Sequence, residues 1–322
     1  MAMDVNEARM SLVEVVKRHD PDGNLATIAE VLNKTNDMVA DAVWREANDN
    51  YSNKTTRRSR LPSGTWRKFN EGVSNTASET VELVDVIGIL EAHSENDVDL
   101  IKSFKDPEQA RTDEAMAFVE GLSQDMATAM VYGDASADPE KFTGLAPRLD
   151  SIAASANVIN EGGTGSDLTS VFVIDWGMNS CYMMYPRNSI VGLEHIDRGV
   201  VDVLDSDSKS FLAYKDIFKW KAGMVVKNNK SIGRLANIES TGSSNTFDPD
   251  NLITLVNRMT KGPGRRIYVN ETVMTQIEIL EKDKSNTYFY KTDGLAPGPT
   301  MMFKGIPIRQ VDAITITETA LT

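Results

Sequence analysis

One cysteine, Cys181, stands in 322 residues. A lone thiol forms no disulfide within the chain and cannot supply a zinc site of several thiolates. Its neighbours in CYMMY are apolar and no charge adjoins it, so it reads as a small buried hydrophobe rather than a nucleophile. Histidine is nearly as scarce, with only His19, His93 and His195. Serine–histidine catalysis needs a positioned serine beside one of them, and no G-x-S-x-G elbow occurs. No apolar run approaches the ~20 residues of a membrane-spanning helix. The start, MAMDVNEARM, lacks the basic lead and apolar stretch of a secretory leader, which predicts a protein made in a cytoplasm and kept there until release. Net positive charge is missing as well. The chain carries −13 with a pI near 4.8, so DNA phosphates would repel it as a general binder, though a wall around DNA need not grip it.

Two weak echoes of ligand loops also fail. GGTGSDLTS has the glycines and hydroxyls of a phosphate loop, but Leu168 stands before Thr169 where a lysine is needed. DSDSKSF places Asp205, Asp207 and Lys209 as in a calcium loop, without its turn glycine or terminal glutamate. We therefore assign no catalytic, cofactor-binding or metal-binding residue.

What is present is an ordinary globular balance, 25% charged and 41% hydrophobic, long enough for a sizeable core and two subdomains. Leu25, Ile28, Leu32, Val39, Ala42 and Val43 recur at mostly helical steps, predicting one or two helices up to about Glu46, with Asn24 as a cap. From Tyr51 to Val73 the stripe disappears and Pro62, Gly64 and Gly72 punctuate the chain, predicting a long hairpin. Asp106-Pro107-Glu108-Gln109 opens the clearest helix: a cap, a proline at the first helical position, and a carboxamide able to reach back to the cap. Met116, Val119, Leu122, Met126 and Met130 follow at steps of three and four, giving a helix over 107–132 closed by a left-handed Gly133. Residues 142–262 read as mainly β, with helices at SIAASAN and at DPDNLITLVNRMTKG, the latter running from Asp248-Pro249 to Gly262. RRIYVNETV reads as a strand and turn, VMTQIEILEKDK as a helix. TMMFKGIPIRQVDAITIT reads as two strands broken at Gly305 and Pro307. Strands and helices segregate instead of alternating, which is an α+β architecture.

Charge is split along the chain. Residues 50–70 hold Lys54, Arg57, Arg58, Arg60, Arg67 and Lys68 and no acid, a net of +6. Residues 71–140 hold seventeen acids against three bases, a net of −14. With Tyr51, Trp66 and Phe69 interleaved, the basic segment admits a nucleic-acid reading. A solvated loop is the plainer one. A third reading lays it over the acidic region of a neighbouring copy, because complementary patches on a repeated subunit favour head-to-tail contacts that close into rings. We favour the third.

The stretch Gly162–Ile238 carries an ordered series: GGTGSDLTS, then W-G-x-N, Y-P-x-x-S, G-L-x-H-x-D-x-G, K-W-x-x-G and R-x-A-N-I. This order resembles the major capsid proteins of tailed double-stranded DNA phages, the epsilon15-like short-tailed group built on the Hong Kong 97 phage capsid fold. LPSGTWRKFNEGV is similar to that family's extended loop. EAMAFVEGLSQDMATAMVYGD with PEKFTGLAPRLDSI is similar to its spine helix and the turn after it. The resemblance implies an N-terminal arm over 1–50, an extended loop over 51–80, and a peripheral domain over 81–150 whose spine helix is 107–132. It implies an axial domain over 151–260, and return strands of the peripheral domain over 261–322. It implies a shell of hexamers and pentamers, not an enzyme, with His195 structural. The implied partners are further copies of the chain, a separate scaffolding protein, a portal protein, room for a decoration protein, and DNA enclosed without sequence-specific binding; no membrane is implied. The place is the virion shell, assembled in the bacterial host cytoplasm. Covalent cross-links are not expected, because Lys54 and Lys68 stand in polar, cationic surroundings without a carboxylate to accept a proton. The alternatives are an encapsulin-like compartment shell and a soluble β-rich enzyme or glycan-binding protein.

Overall fold

The computed structural model describes residues 36–242, 244–282, 289–293 and 299–322. Asn24, Leu25, Ile28 and Leu32, where the first helix is expected, lie outside the described residues. A single helical turn, α1 (Met38–Asp41), ends at an extended Ala42, and β1 (Trp44–Glu46) follows. The helix expected to reach Glu46 thus stops early, because the chain joins a sheet there and Trp44 stacks on Trp220 at 6.3 Å. Next, β2 (Ser52–Arg60) and β3 (Glu79–Val86) form a hairpin of their own, with Ser52 opposite Val86 and Arg60 opposite Glu79. Its arms reach beyond Val73, since Thr80, Val81, Val84 and Val86 are β-branched strand formers.

After β4 (Gly88–Asp97) comes the short α2 (Val98–Lys102), capped by the Asp97 carboxylate. The long helix α3 (Pro107–Tyr132) opens with the Asp106 carboxylate accepting from the Gln109 N–H at 3.2 Å. The expected details of its ends differ. The Gln109 amide donates to Asp113 at 2.7 Å rather than reaching back. Gly133 is not left-handed, with φ −54° and ψ 134°. Glycine is needed there for closeness instead: a Cβ would lie 2.5 Å from the carbonyl oxygens of Ala129 and Phe142. SIAASAN forms turns, not a helix, because its small residues offer no apolar stripe to bury.

The strands β5 (Val158–Asn160), β6 (Leu168–Asp175), β7 (Cys181–Tyr185), β8 (Leu193–Leu204), β9 (Ser210–Val226) and β10 (Ile232–Glu239) follow. Helix α4 (Pro249–Arg258) is capped by Asp248 at 2.9 Å. It ends before Gly262, because Thr260 N–H bonds to the Lys230 carbonyl at 2.9 Å and Met259 turns into the core. Then come β11 (Arg265–Val269), α5 (Glu271–Glu281), β12 (Phe289–Asp293), β13 (Pro299–Phe303) and β14 (Ile306–Gln310). The last turn is Lys304-Gly305, both at positive φ. Pro307 lies inside β14 rather than breaking it.

Two larger sheets result. One has the order β1-β7-β9-β4, with β8 also on β9; the other runs β12-β13-β14-β11-β6-β10-β5. The expected division at 151–260 and 261–322 does not follow the sheets. Residues 181–226 join β4, while β11 to β14 share a sheet with β5, β6 and β10. The cause is β6, which takes antiparallel partners on both edges, β10 and β11, and so draws the later chain back. Every residue of β6 is buried. Alternate side chains face opposite cores, as a period of two requires. Phe172 and Ile174 join the core beneath α3 with Met126, Met130 and Met224. Val171 and Val173 join the core formed by α4 and α5 with Leu255, Val273 and Ile277.

Candidate assembly surfaces

Every residue from 58 to 82 is exposed. At the hairpin tip the Trp66 and Phe69 side chains are wholly in solvent. Arg60 pairs with Glu79 across the strands at 2.8 Å, both well exposed. The Arg57 guanidinium donates to Asn229 Oδ1. The Lys54 backbone is clamped by the Asn48 side chain at 2.9 and 2.7 Å, and Arg58 sits opposite Thr80. Arg67 donates to the Glu71 carbonyl at 3.2 Å, and the Lys68 N–H to the Glu71 carboxylate at 3.3 Å. The basic segment therefore does not leave all its acids to a neighbour. Glu79 and Glu82 lie on β3 beside it, because hairpin pairing brings them back. Further acids of the −14 block are also used at home: Asp85 by Arg148 at 2.7 Å, Glu91 by Lys219 and Glu95 by Lys215, each at 2.8 Å. The Lys219 hydrogen bond, then that of His93, holds the Glu91 carboxyl below its ordinary range.

Helix α3 buries only the C-terminal part of the stripe its spacing predicts. Leu122, Met126 and Met130 are buried, but Met116 and Val119 are exposed. Two successive three-residue steps explain this. At about 100° per residue, Met116 lies roughly 120° around the helix from Leu122, whereas Phe118 lies only about 40° away. Phe118 is the residue that packs, stacking on Phe218 at 5.6 Å. The first turns are fixed by charge. Arg111 meets Asp197 at 3.1 Å and the buried Asp216 at 3.2 Å, and lies 4.5 Å over the Tyr214 ring. His195 completes the cluster with Nε2 2.9 Å from Asp216 and its ring stacked on Phe218. The cluster ties α3 to the β8–β9 hairpin.

A second polar network holds the C-terminus. The Glu318 carboxylate accepts from Arg234 at 2.9 Å, from the Tyr132 hydroxyl at 2.6 Å, and from Ser170. Arg234 is buried and also donates to Ser170 Oγ at 2.9 Å and to the Leu149 carbonyl at 3.0 Å. Burial, then the Glu318 charge, pushes the Tyr132 hydroxyl well above its ordinary pKa. Asn237, at φ 61°, exchanges two hydrogen bonds with the Leu321 backbone. Arg234 and Asn237 are the polar members of R-x-A-N-I, so that motif is an anchor for the C-terminal strap. Arg148, in GLAPRLDSI, likewise joins Asp85 to the Thr143 and Met224 carbonyls. These anchors were not assigned from sequence; a polar residue inside an otherwise buried run, as at Arg234, is the signal that marks one.

The sequence's ligand-loop echoes are turns. Gly162 and Gly165 sit at φ 92° and 117°. The Asp205 carboxylate accepts from the backbone N–H of Asp207 and Lys209, and Lys209 pairs with Asp207 at 3.0 Å. Burial pushes the Cys181 thiol up to about 12. Among the described residues no group of three or more histidines, cysteines and carboxylates is placed to hold a metal, and no helix is long and apolar enough to cross a membrane.

This architecture is the Hong Kong 97-like phage capsid fold. A chain of the near-atomic structure of bacteriophage Epsilon15 matches over 100% of both chains, with 29% identity and a TM-score of 0.78. The SrpI encapsulin of Synechococcus elongatus PCC 7942, 9% identical, matches 74% of this chain and 100% of its own at a TM-score of 0.50, which is a likeness of fold alone. Comparison with curated proteins gives no match. The family model for major capsid protein GP7 matches residues 20–322, and the chain belongs to that family. It is a structural, shell-forming protein and not an enzyme.

Proposed function

We propose that this capsid protein assembles as hexamers and pentamers into an icosahedral shell around double-stranded DNA, with the β2–β3 hairpin as the clamp between subunits. The observation that carries the clamp is the exposure of residues 58–82, with two aromatic rings wholly in solvent, Arg67 and Lys68 between them in sequence, and Arg58 exposed on the strand that leads to them. A lone subunit has no use for such a surface, and an exposed apolar and charged extension is what a partner would cover. The sheets suggest revised subdomains. The seven-stranded sheet with α4 and α5 would be the axial unit, and α3 with the β1-β7-β9-β4 sheet the peripheral one. A separate scaffolding protein, a portal, a decoration protein and assembly in the host cytoplasm belong to the same reading.

The clamp is tested by reversing Arg58, Arg67 and Lys68 to glutamate. Each exposed ion pair is worth only ~0–1 kcal/mol, but a shell repeats the contact in every subunit and the losses multiply. The variant should keep the circular dichroism and melting point of the free subunit and give few particles. Normal particle yield contradicts the clamp.

A further inference from the structure

A cavity of about 380 Å³ opens between the C-terminal half of α3, the start of β4 and residues 140–142. Its wall is apolar, built from Ile89, Leu90, Met126, Ala129 and Phe142. Ile89, one of its lining residues, is half exposed. Asp125 and Glu140 stand at its lip. The lip's lysine, Lys141, is already held by Asp138 at 3.0 Å. Neither Asp125 nor Glu140 has an ion-pair partner among the described residues. The cavity is thus an apolar floor beneath two free carboxylates, in the size range that takes a ring system.

The hairpin tip has the complementary chemistry in five consecutive residues, Thr65-Trp66-Arg67-Lys68-Phe69. Two fully exposed aromatic rings flank two cations. Its own cavity is not where this tip lies. Gly88, at the cavity's edge, follows the base of β3, and β3 then runs away from it. Seven residue steps from Val86 to Glu79 carry the tip roughly 24 Å off, at about 3.4 Å each.

We propose that Trp66 of one subunit seats in this cavity of a neighbouring copy, with Arg67 and Lys68 against the neighbour's Asp125 and Glu140. Aromatic anchors filling a desolvated pocket, ringed by complementary charge, are the usual centre of a tight protein contact. The inference rests on the clamp proposed above and names its socket. The 61–78 segment has no regular structure to hold it in another pose, so the tip can adapt as it enters.

The test uses assembled particles of the full chain. Cys181 is buried, so introduced cysteines report alone. A Trp66→Cys, Thr128→Cys chain carries one thiol at the tip and one on the cavity wall, where Thr128 is exposed. Oxidised particles should yield chains linked 66 to 128, at multiples of the chain mass on non-reducing gels, and free subunits should not. Particles that form normally without this link overturn the proposal. So does a Leu25→Cys, Thr128→Cys chain that links within itself, since the N-terminal segment would then fill the cavity. If Trp66→Cys blocks assembly, unmodified particles decide instead. N-bromosuccinimide should oxidise Trp66 at least tenfold more slowly in particles than in free subunits, and equal rates overturn the proposal. Failure of the unmodified chain to form any particle would count against the shell itself, which imaging reports separately.

Discussion

Replacing Glu318 by alanine should destabilise the subunit more than its position four residues from Thr322 would suggest. The carboxylate answers a buried guanidinium at Arg234 and the hydroxyls of Ser170 and Tyr132. Removing one member of a buried ion pair costs about 3–5 kcal/mol, because the other charge is left uncompensated. Arg234 keeps its bonds to Ser170 and to the Leu149 carbonyl, which places the loss near the lower end, about 3 kcal/mol. The Tyr132 hydroxyl loses an acceptor but stays close to Thr315, adding about 1 kcal/mol. A total of about 4 kcal/mol corresponds to roughly 8 °C, at about 2 °C per kcal/mol for a chain of this size. The assay is thermal unfolding of disassembled subunits followed by circular dichroism. Glu318→Gln, which keeps an acceptor and loses the charge, should fall between wild type and alanine. An alanine variant melting within about 2 °C of wild type would refute the idea that this network fastens the C-terminus.

Other outcomes follow from the same structure. Burial raises the Glu161 carboxyl to about 7 and leaves Oε1 without a hydrogen bond, although Asn251 donates to Oε2. The folded state therefore favours its protonated form, and its contribution to stability is lost as pH rises from the unfolded value through the folded one. Glu161→Gln should be more stable than wild type by about 1–2 kcal/mol at pH near 8, after allowing for partial exposure, and nearly equal at pH near 5. Identical pH curves for the two proteins would show the carboxyl to be solvated. Leu122→Asp places an unpaired charge in a buried site and should abolish soluble folding, whereas Met116→Asp on the exposed face should fold normally; equal effects would mean that the buried face of α3 is misassigned. Mature particles boiled in denaturing detergent should release a single band near 35.5 kDa. Lys54 and Lys68 are exposed rather than desolvated, and a ladder of multiples would show cross-linking in spite of that.

Local signals were readable in the sequence where they are physically local. Asp106-Pro107 starts α3 because a cap and a proline act within one turn. The basic stretch is a hairpin because Pro62 and Gly64 end β2 and β-branched residues resume at Thr80. What was not readable depends on distant partners. Asp85 and Arg148 lie 63 residues apart, and Arg234 and Glu318 lie 84 apart; neither spacing says that a charge is buried. The drift of Met116 and Val119 off the packed face went unseen because three-residue steps look helical while turning the stripe. The expected subdomain division departs from the sheets for a similar reason: which strands flank β6 is settled by its two buried faces and both paired edges, not by order along the chain. The R-x-A-N-I motif was visible as a string, and its meaning as a strap anchor appears only when Leu321 is placed against Asn237.

The central claim is that this chain builds a closed shell. Its most direct test is negative-stain imaging of the purified protein, alongside sedimentation velocity, across a range of salt and with a scaffolding protein supplied. The account requires closed particles of uniform diameter, or hexamers and pentamers that convert to them. A protein that remains a monomer or a small discrete oligomer under every condition would contradict it.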